Sequence, residues 1–98
     1  MEADGGNGDC MYVKVGDVVR VRLLYSEVCM HMRVAGKPMN VQIVGDGSST
    51  AAQLLRDDGT PFSTPITLKE AGIQTDSVGR HYVPNRLLVL TEGGFDGL

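Results

Sequence analysis

The chain has 98 residues, of which 42% are hydrophobic, and its formal net charge is −3. This length suits one small domain, and the absence of any run of about 18 apolar residues argues against a membrane protein. The valine and leucine content excludes a wholly disordered chain, and the negative charge argues against duplex nucleic acid as the main partner. We therefore expect a single globular domain with no membrane or nucleic-acid partner.

The start of the chain is acidic, rich in glycine and without a hydrophobic period. We expect a flexible arm over residues 1–10 and a single globular domain over residues 11–92. Cys10 and Cys29 are too few for a scaffold held by disulfides. No apolar leader follows Met1, so a reduced, cytoplasmic protein is expected.

Apolar and polar residues then alternate in three consecutive segments, residues 17–25, 28–34 and 39–44. Alternation with a period of two is typical of a strand that is buried on one face. Short turn sequences separate the segments. The sequence therefore predicts a three-stranded meander over residues 18–44.

A basic stripe is expected on the outer face of this meander. Arg20 and Arg22 share the polar face of the first strand, and Arg33 would face them from the second strand with His31 alongside. Two interpretations stay open. The stripe is either a solvated strand face or a docking patch for an acidic protein surface, since arginine forks bind carboxylates well.

The hydrophobic period changes after Gly45. Either Ser48 or Ser49 is a suitable N-cap for a short helix, which Gly59 would end. The competing structure is a strand through Gln53–Arg56 with a hairpin turn at Asp57-Asp58-Gly59. The sequence favours the helix and leaves the strand open.

The next segments carry strong breakers. Pro61 and Pro65 exclude a central strand over residues 60–65. The segment Thr67–Gly72 predicts a helical turn that its glycine closes. The sequence therefore predicts irregular structure in this part of the chain.

The last third of the chain returns to an apolar pattern. Residues 77–83 suit either a strand or a long loop, which Pro84 ends. The continuous run Leu87–Leu90 predicts a strand that is buried on both faces. Residues 93–98, which begin with Gly93-Gly94, predict a flexible C-terminal tail.

No catalytic or metal-binding pattern stands out. The two histidines, His31 and His81, belong to no nucleophile motif. Cys29 and His31, together with Cys10 and His81, lack the usual spacing of a zinc site. The turn Gly45–Ser48 has no following lysine for a P-loop. We therefore predict a protein that is not an enzyme and has no catalytic residue, metal or cofactor.

Several segments resemble ubiquitin and its relatives. Residues 67–77 are similar to the segment before the last strand of ubiquitin, and Asp58-Gly59 resembles the Asp-Gly that precedes it. Leu88-Val89-Leu90, followed by Gly93-Gly94, resembles the last strand and its diglycine end. Residues 34–43 resemble the opening hairpin. The closest resemblance in style is to bacterial ubiquitin-like proteins.

This resemblance implies an α+β protein with a β-grasp (ubiquitin-like) fold and an extra N-terminal strand. It implies a protein modifier that a processing protease trims after Gly94. An activating enzyme and a conjugating enzyme would then join the carboxylate of Gly94 to a target protein through an isopeptide bond. Gly93 and Gly94 would be the processing and conjugation residues. The predicted partner-binding residues are Arg20, Arg22, Arg33 and His31.

The alternative is an all-β, immunoglobulin-like sandwich. Short apolar runs with turns every roughly 8–12 residues suit that architecture. The protein would then be a non-enzymatic interaction or assembly module. A packed helix near residues 48–58 favours the β-grasp, whereas a strand there favours the sandwich.

Overall fold

A computed structural model describes residues 10–45 and 49–89. These residues form two three-stranded antiparallel sheets with little helix, so the fold is mostly β. One sheet has the strand order β1-β6-β5 and the other has the order β2-β3-β4. In chain order the elements are β1 (Cys10–Val13), β2 (Val18–Arg22), α1 (Glu27–His31), β3 (Pro38–Gly45), β4 (Thr50–Leu55), β5 (Gln74–Thr75), β6 (His81–Pro84) and a 3₁₀ helix (Asn85–Leu87).

The pairing register of the β2-β3-β4 sheet separates an inner from an outer face. Val19 pairs with Val41, which pairs with Leu54, and all three are buried. The next row pairs Val18 with Gln42, whose side chains face away from the core. The strand predicted within residues 17–25 is confirmed over Val18–Arg22, and the strand predicted at residues 39–44 is confirmed within β3. In both strands the alternation matches the pleat of a sheet with one buried face.

The two sheets share one hydrophobic core. Val21 and Ile43 come from the β2-β3-β4 sheet, and Val13 and Val83 come from the β1-β6-β5 sheet. Three of these four side chains, those of Val21, Ile43 and Val83, are fully buried. Removing their apolar surface from water stabilises both sheets together.

The middle segment of the predicted meander is not a strand. It begins as the helix α1, and β2 pairs directly with β3. Ser26 caps this helix, since its Oγ accepts a hydrogen bond from the N–H of Cys29 at 3.3 Å. Cys29 is buried whereas Met30 is 57% exposed. In a segment of only five residues, one buried side chain next to one exposed side chain fits both a strand and a single turn of helix. The cap at Ser26 therefore decides the conformation.

The helix α1 ends in a Schellman motif whose left-handed residue is Arg33. The N–H of Arg33 donates to Met30 at 3.0 Å, and the N–H of Val34 donates to Cys29 at 2.9 Å. The φ angle of Arg33 is +64°. Glycine usually holds this position, because a side chain costs roughly 1–2 kcal/mol in the left-handed region. The backbone of Arg33 is therefore mildly strained.

The predicted helix after Gly45 is also wrong, and the competing strand is confirmed. β4 pairs with β3 from Thr50 to Leu55. A tight turn follows, in which the N–H of Arg56 donates to Thr60 at 2.8 Å and Gly59 has a φ angle of +90°. Cross-strand hydrogen bonds and the burial of alternate residues outweigh the weak helical preference of so short a segment. The β-grasp fold is accordingly not confirmed.

The segment after this turn runs back along the outer edge of β4. Isolated bridges join Leu55 to Pro61 and Ala52 to Ile66. Pro65 has no N–H to donate and a regular strand does not form. The exclusion of a central strand over residues 60–65 is confirmed.

The predicted helical turn over residues 67–72 is present. The N–H of Thr67 donates to Glu70 Oε1 and the N–H of Glu70 donates to Thr67 Oγ1, both at 3.0 Å. This is a reciprocal capping box. Gly72 ends the turn with a φ angle of +88°, and its N–H donates to Lys69.

Within the run Leu87–Leu90, the described residues 87–89 do not form a strand that is buried on both faces. Leu87 ends the 3₁₀ helix, and Leu88 makes a single bridge to Val21. The N–H of Val89 then donates to Arg20 at 2.9 Å, so this end of the described chain lies at the outer edge of β2. The prediction is wrong at Leu87, because the chain must turn at the end of β6 to reach that edge.

The structure also bears on the ends of the predicted domain. Cys10, which we assigned to the N-terminal arm, pairs with Pro84 as the first residue of β1. Residues 1–9 and the predicted tail at 93–98 lie outside the described residues. Within the described part of the chain, no helix is long and apolar enough to cross a membrane.

Candidate functional site

The predicted basic stripe does not form as a row across two strands. Arg20 and Arg22 both lie on the outer face of β2, as predicted. Their partners on the neighbouring strand β3 are Asn40 and Pro38, however. Arg33 lies after the helix α1 instead of on a strand. Its position opposite the other two arginines is therefore not observed.

Arg20 is engaged with other side chains. Its Nη1 donates to Asn40 Oδ1 at 3.3 Å and lies 3.9 Å from Asp57 Oδ1. The Arg20 side chain is only 29% exposed, whereas that of Asp57 is 98% exposed. An ion pair this open to water contributes little to stability, but it lowers the availability of Arg20 for a partner.

Five exposed residues lie on the stretch of chain that leads from the end of β2 to the start of β3. We call Arg22, Tyr25, Met30, Arg33 and Lys37 the basic end. Backbone hydrogen bonds hold the segments together, from Leu23 to Lys37 at 2.9 Å and from Gly36 to Leu23 at 2.8 Å. Sequence analysis missed Tyr25, Met30 and Lys37 as candidate site residues, because these segments meet only in the fold.

Gly36 fixes the contact between the loop and two side chains of the basic end. Arg22 Nη1 donates to the carbonyl of Gly36 at 3.1 Å. A side-chain carbon on Gly36 would lie 2.5 Å from the hydroxyl of Tyr25, and its φ angle is +78°. Only glycine therefore allows the phenol ring to lie against this loop. Tyr25 is nevertheless 76% exposed.

The cations of the basic end have no ionic partner among the residues that the structure describes. Arg22, Arg33 and Lys37 lie in no ion pair there, although the chain as a whole carries a net charge of −3. His31 is exposed on the last turn of α1. Glu27, on the first turn of the same helix, is the nearest acidic residue in the sequence. The basic end therefore presents positive charge beside exposed apolar side chains.

A first cleft of about 500 Å³ lies beside β1 and the turn before β6. Its charged groups are already paired. The Arg80 guanidinium lies 4.4 Å from the centre of the Tyr12 ring, and its Nε lies 3.1 Å from Asp76 Oδ2. Partial desolvation raises the pKa of Tyr12 above its ordinary value. His81 Nδ1 lies 2.9 Å from Thr75 Oγ1.

Asp76 organises the turn between β5 and β6. Its Oδ1 accepts hydrogen bonds from the N–H groups of Arg80 and Val78, at 2.9 and 3.0 Å. These bonds, that of Arg80 foremost, lower the pKa of Asp76 below its ordinary value. An aspartate three residues before a glycine is a turn signal, and Gly79 has the φ angle of +89° that such a turn requires.

A second cleft of about 440 Å³ lies between the capping-box turn, β5 and the 3₁₀ helix. Its apolar lining includes Leu24, Ile73 and Leu87, and its charged lining residues are Lys69 and Arg86. They come from distant parts of the sequence, so no local pattern could have predicted the cleft.

Cys29 and His31, the two closely spaced residues that we considered as metal ligands, differ in exposure. Cys29 is buried, and its Sγ lies 3.7 Å from the carbonyl of Glu70, whereas His31 is exposed. Over residues 10–45 and 49–89, no cluster of three or more His, Cys, Asp or Glu side chains could hold a metal ion. Gly93 and Gly94 lie outside the described residues.

Comparison with known proteins adds no assignment. No family model matches the chain, and neither curated proteins nor solved structures give a significant match.

Proposed function

We propose that this protein is a non-enzymatic interaction module that binds an acidic surface of a partner protein through its basic end. The observation that carries the proposal is Arg33. This exposed arginine occupies a left-handed backbone position that glycine would fill with less strain. Strain that is retained at one exposed residue supports a role for its side chain.

The basic end combines the two kinds of contact that protein interfaces use most. Tyr25 and Met30 offer exposed apolar surface, 76% and 57% of each side chain. Arg22 and Arg33 offer planar guanidinium groups, which bind carboxylates with two parallel hydrogen bonds. The cations would steer an acidic partner toward the surface, and the apolar groups would slow its release.

The observed strand β4 supports this choice over the modifier. A strand near residues 48–58 is the feature that we expected of the β-sandwich alternative, whose function would be interaction or assembly. The shared core of two antiparallel sheets is also in keeping with that architecture.

An NMR titration with a soluble copolymer of glutamate and tyrosine tests the proposal. We expect amide shifts concentrated in residues 22–37 and binding that weakens as salt is added. The variant Arg33→Gly should bind roughly threefold to tenfold more weakly although it relieves backbone strain, whereas Arg33→Lys should lose less. Lys14→Ala, an exposed cation outside the basic end, is the control. Equal binding by wild type and Arg33→Gly would refute the proposal.

The ubiquitin-like modifier remains the second candidate. It is supported by the resemblance around Leu88-Val89-Leu90 and Gly93-Gly94, and by the two backbone contacts through which Leu88 and Val89 reach β2. Gly93 follows Val89 by four positions in the sequence. Mass spectrometry of the protein from its native cells should detect cleavage after Gly94 and an isopeptide bond to a target. Conjugates that persist after deletion of Gly93 and Gly94 would refute this candidate.

A further inference from the structure

We infer that the second cleft binds a small apolar carboxylate. The cleft shares no residue with the basic end, so this inference does not depend on the proposed function. It is carried by three features of the cleft: an apolar lining, a glycine within that lining, and two cations that have no ion-pair partner among the residues that the structure describes.

The interior of the cleft is apolar and of suitable size. Leu68, Ile73 and Leu87 are at most 9% exposed, and Leu24 is half-buried beside them. The volume of about 440 Å³ lies within the range of roughly 300–1,000 Å³ that is typical of ligand pockets. An aliphatic chain or a single ring would exchange water for these leucine and isoleucine side chains.

Gly72 lines the cleft and contributes no side chain to it. A carbon added there would lie 2.7 Å from Leu87 Cδ1 and 3.5 Å from Leu24 Cγ. The φ angle of +88° at Gly72 also disfavours any other residue. The apolar interior therefore depends on a backbone position that only glycine occupies without strain.

Lys69 and Arg86 provide positive charge at this cleft. Both side chains are exposed, and neither has an ion-pair or hydrogen-bond partner within residues 10–45 and 49–89. The carboxylate of the neighbouring Glu70 belongs to the capping box, where its Oε1 accepts a hydrogen bond from the N–H of Thr67 at 3.0 Å. The described residues that line the cleft include no acidic side chain.

These features select the ligand by chemistry. Two cations that have no carboxylate partner in the described part of the chain favour an anion, and a carboxylate accepts charge-assisted hydrogen bonds from lysine and arginine side chains. The apolar interior disfavours a strongly hydrated ligand such as a sugar or free phosphate, because it offers few hydrogen bonds in return for lost water. A ligand with one carboxylate and an apolar body satisfies both requirements.

Titration of the full chain with decanoate, followed by NMR, tests the inference. We expect saturable binding with amide shifts at Leu24, Gly72 and Thr75. Decan-1-ol and decyltrimethylammonium, which have the same chain length, should bind at least about tenfold more weakly because they lack the carboxylate.

Charge variants test the roles of the two cations. Lys69→Met and Arg86→Met should each weaken decanoate binding about tenfold without loss of folding, since both side chains are exposed. Lys14→Met, a matched change outside the cleft, should leave binding unchanged. The inference is overturned if decanoate does not saturate, if the cationic analogue binds equally well, or if the double variant at Lys69 and Arg86 binds like wild type.

Discussion

Arg33 shows how one residue can set stability against recognition. Its guanidinium is exposed, and its backbone occupies the left-handed position that ends α1. A chain selected for stability alone would place glycine there. Replacing Arg33 with glycine is therefore expected to weaken the proposed binding and to raise the free energy of unfolding.

We expect Arg33→Gly to raise the free energy of unfolding. Relief of the left-handed strain, roughly 1–2 kcal/mol, exceeds the cost of the extra freedom of glycine in the unfolded chain, roughly 0.5–1 kcal/mol. Urea denaturation measures the difference. Arg33→Ala keeps a side-chain carbon and serves as the control. A variant with glycine that is no more stable than the one with alanine would contradict this expectation.

Two aspartates should make the fold sensitive to acid. Hydrogen bonds that Thr60 donates to Asp58 lower the pKa of Asp58, and hydrogen bonds from backbone N–H groups lower the pKa of Asp76. A carboxylate whose pKa is lowered by folding stabilises the fold at pH values above 3.8, the ordinary pKa of aspartate. This stabilisation is lost as the pH falls through the lowered pKa. Both groups therefore contribute at neutral pH.

The melting temperature of Asp76→Asn should accordingly fall less steeply with acid than that of wild type. At neutral pH the variant should melt lower, because its amide accepts weaker hydrogen bonds from Val78 and Arg80. Thermal melts across the acid range measure both effects. Asp57→Asn is the control, because the Asp57 side chain is 98% exposed. Parallel pH profiles for Asp76→Asn and wild type would argue against this role.

At the scale of elements, two of the three alternating segments of the predicted meander form strands. Residues 39–44 alternate along a strand whose inner side chains, Val41 and Ile43, are fully buried. The alternation at residues 28–34 is equally regular, but there the cap at Ser26 and the Schellman motif select a helix. At β4 the preference for a helix was overruled by pairing with β3, which no local pattern reveals.

The cap of α1 provides a test at this scale. Ser26→Ala should lower the free energy of unfolding by about 1 kcal/mol, because the N–H of Cys29 loses its acceptor. Chemical denaturation measures the change. Ser77→Ala, an exposed serine in the turn before β6, is the matched control and should alter stability by less than about 0.5 kcal/mol. Equal stability of the two variants would mean that Ser26 does not cap a helix.

The candidate sites depend on tertiary contacts more than the strands do. Arg20 and Arg22 were placed correctly on one face of β2, because alternation alone decides that. Their relation to Arg33 required the conformation of the segment between them. The second cleft joins Lys69 and Arg86 through the ends of separate elements. Sequence patterns describe neighbours along the chain, and these sites are built from neighbours in space.

At the scale of the whole molecule, one core serves both sheets, so unfolding should be a single cooperative transition. Val21→Ala in one sheet and Val83→Ala in the other should each lower the free energy of unfolding by about 2 kcal/mol. Val78→Ala, at a side chain that is 71% exposed, is the control. Hydrogen exchange can monitor the two sheets separately. Separate unfolding transitions for the two sheets would contradict a shared core.

Both outer strands of the β2-β3-β4 sheet are flanked by irregular chain. Leu88 and Val89 contact the outer edge of β2, and the proline-containing segment 61–66 runs along the outer edge of β4. Neither flank offers a long, regular row of free N–H and C=O groups to another molecule. The edges of this sheet are therefore poorly suited to pair with strands of other copies of the chain. We expect no fibril growth from these two edges even at high protein concentration.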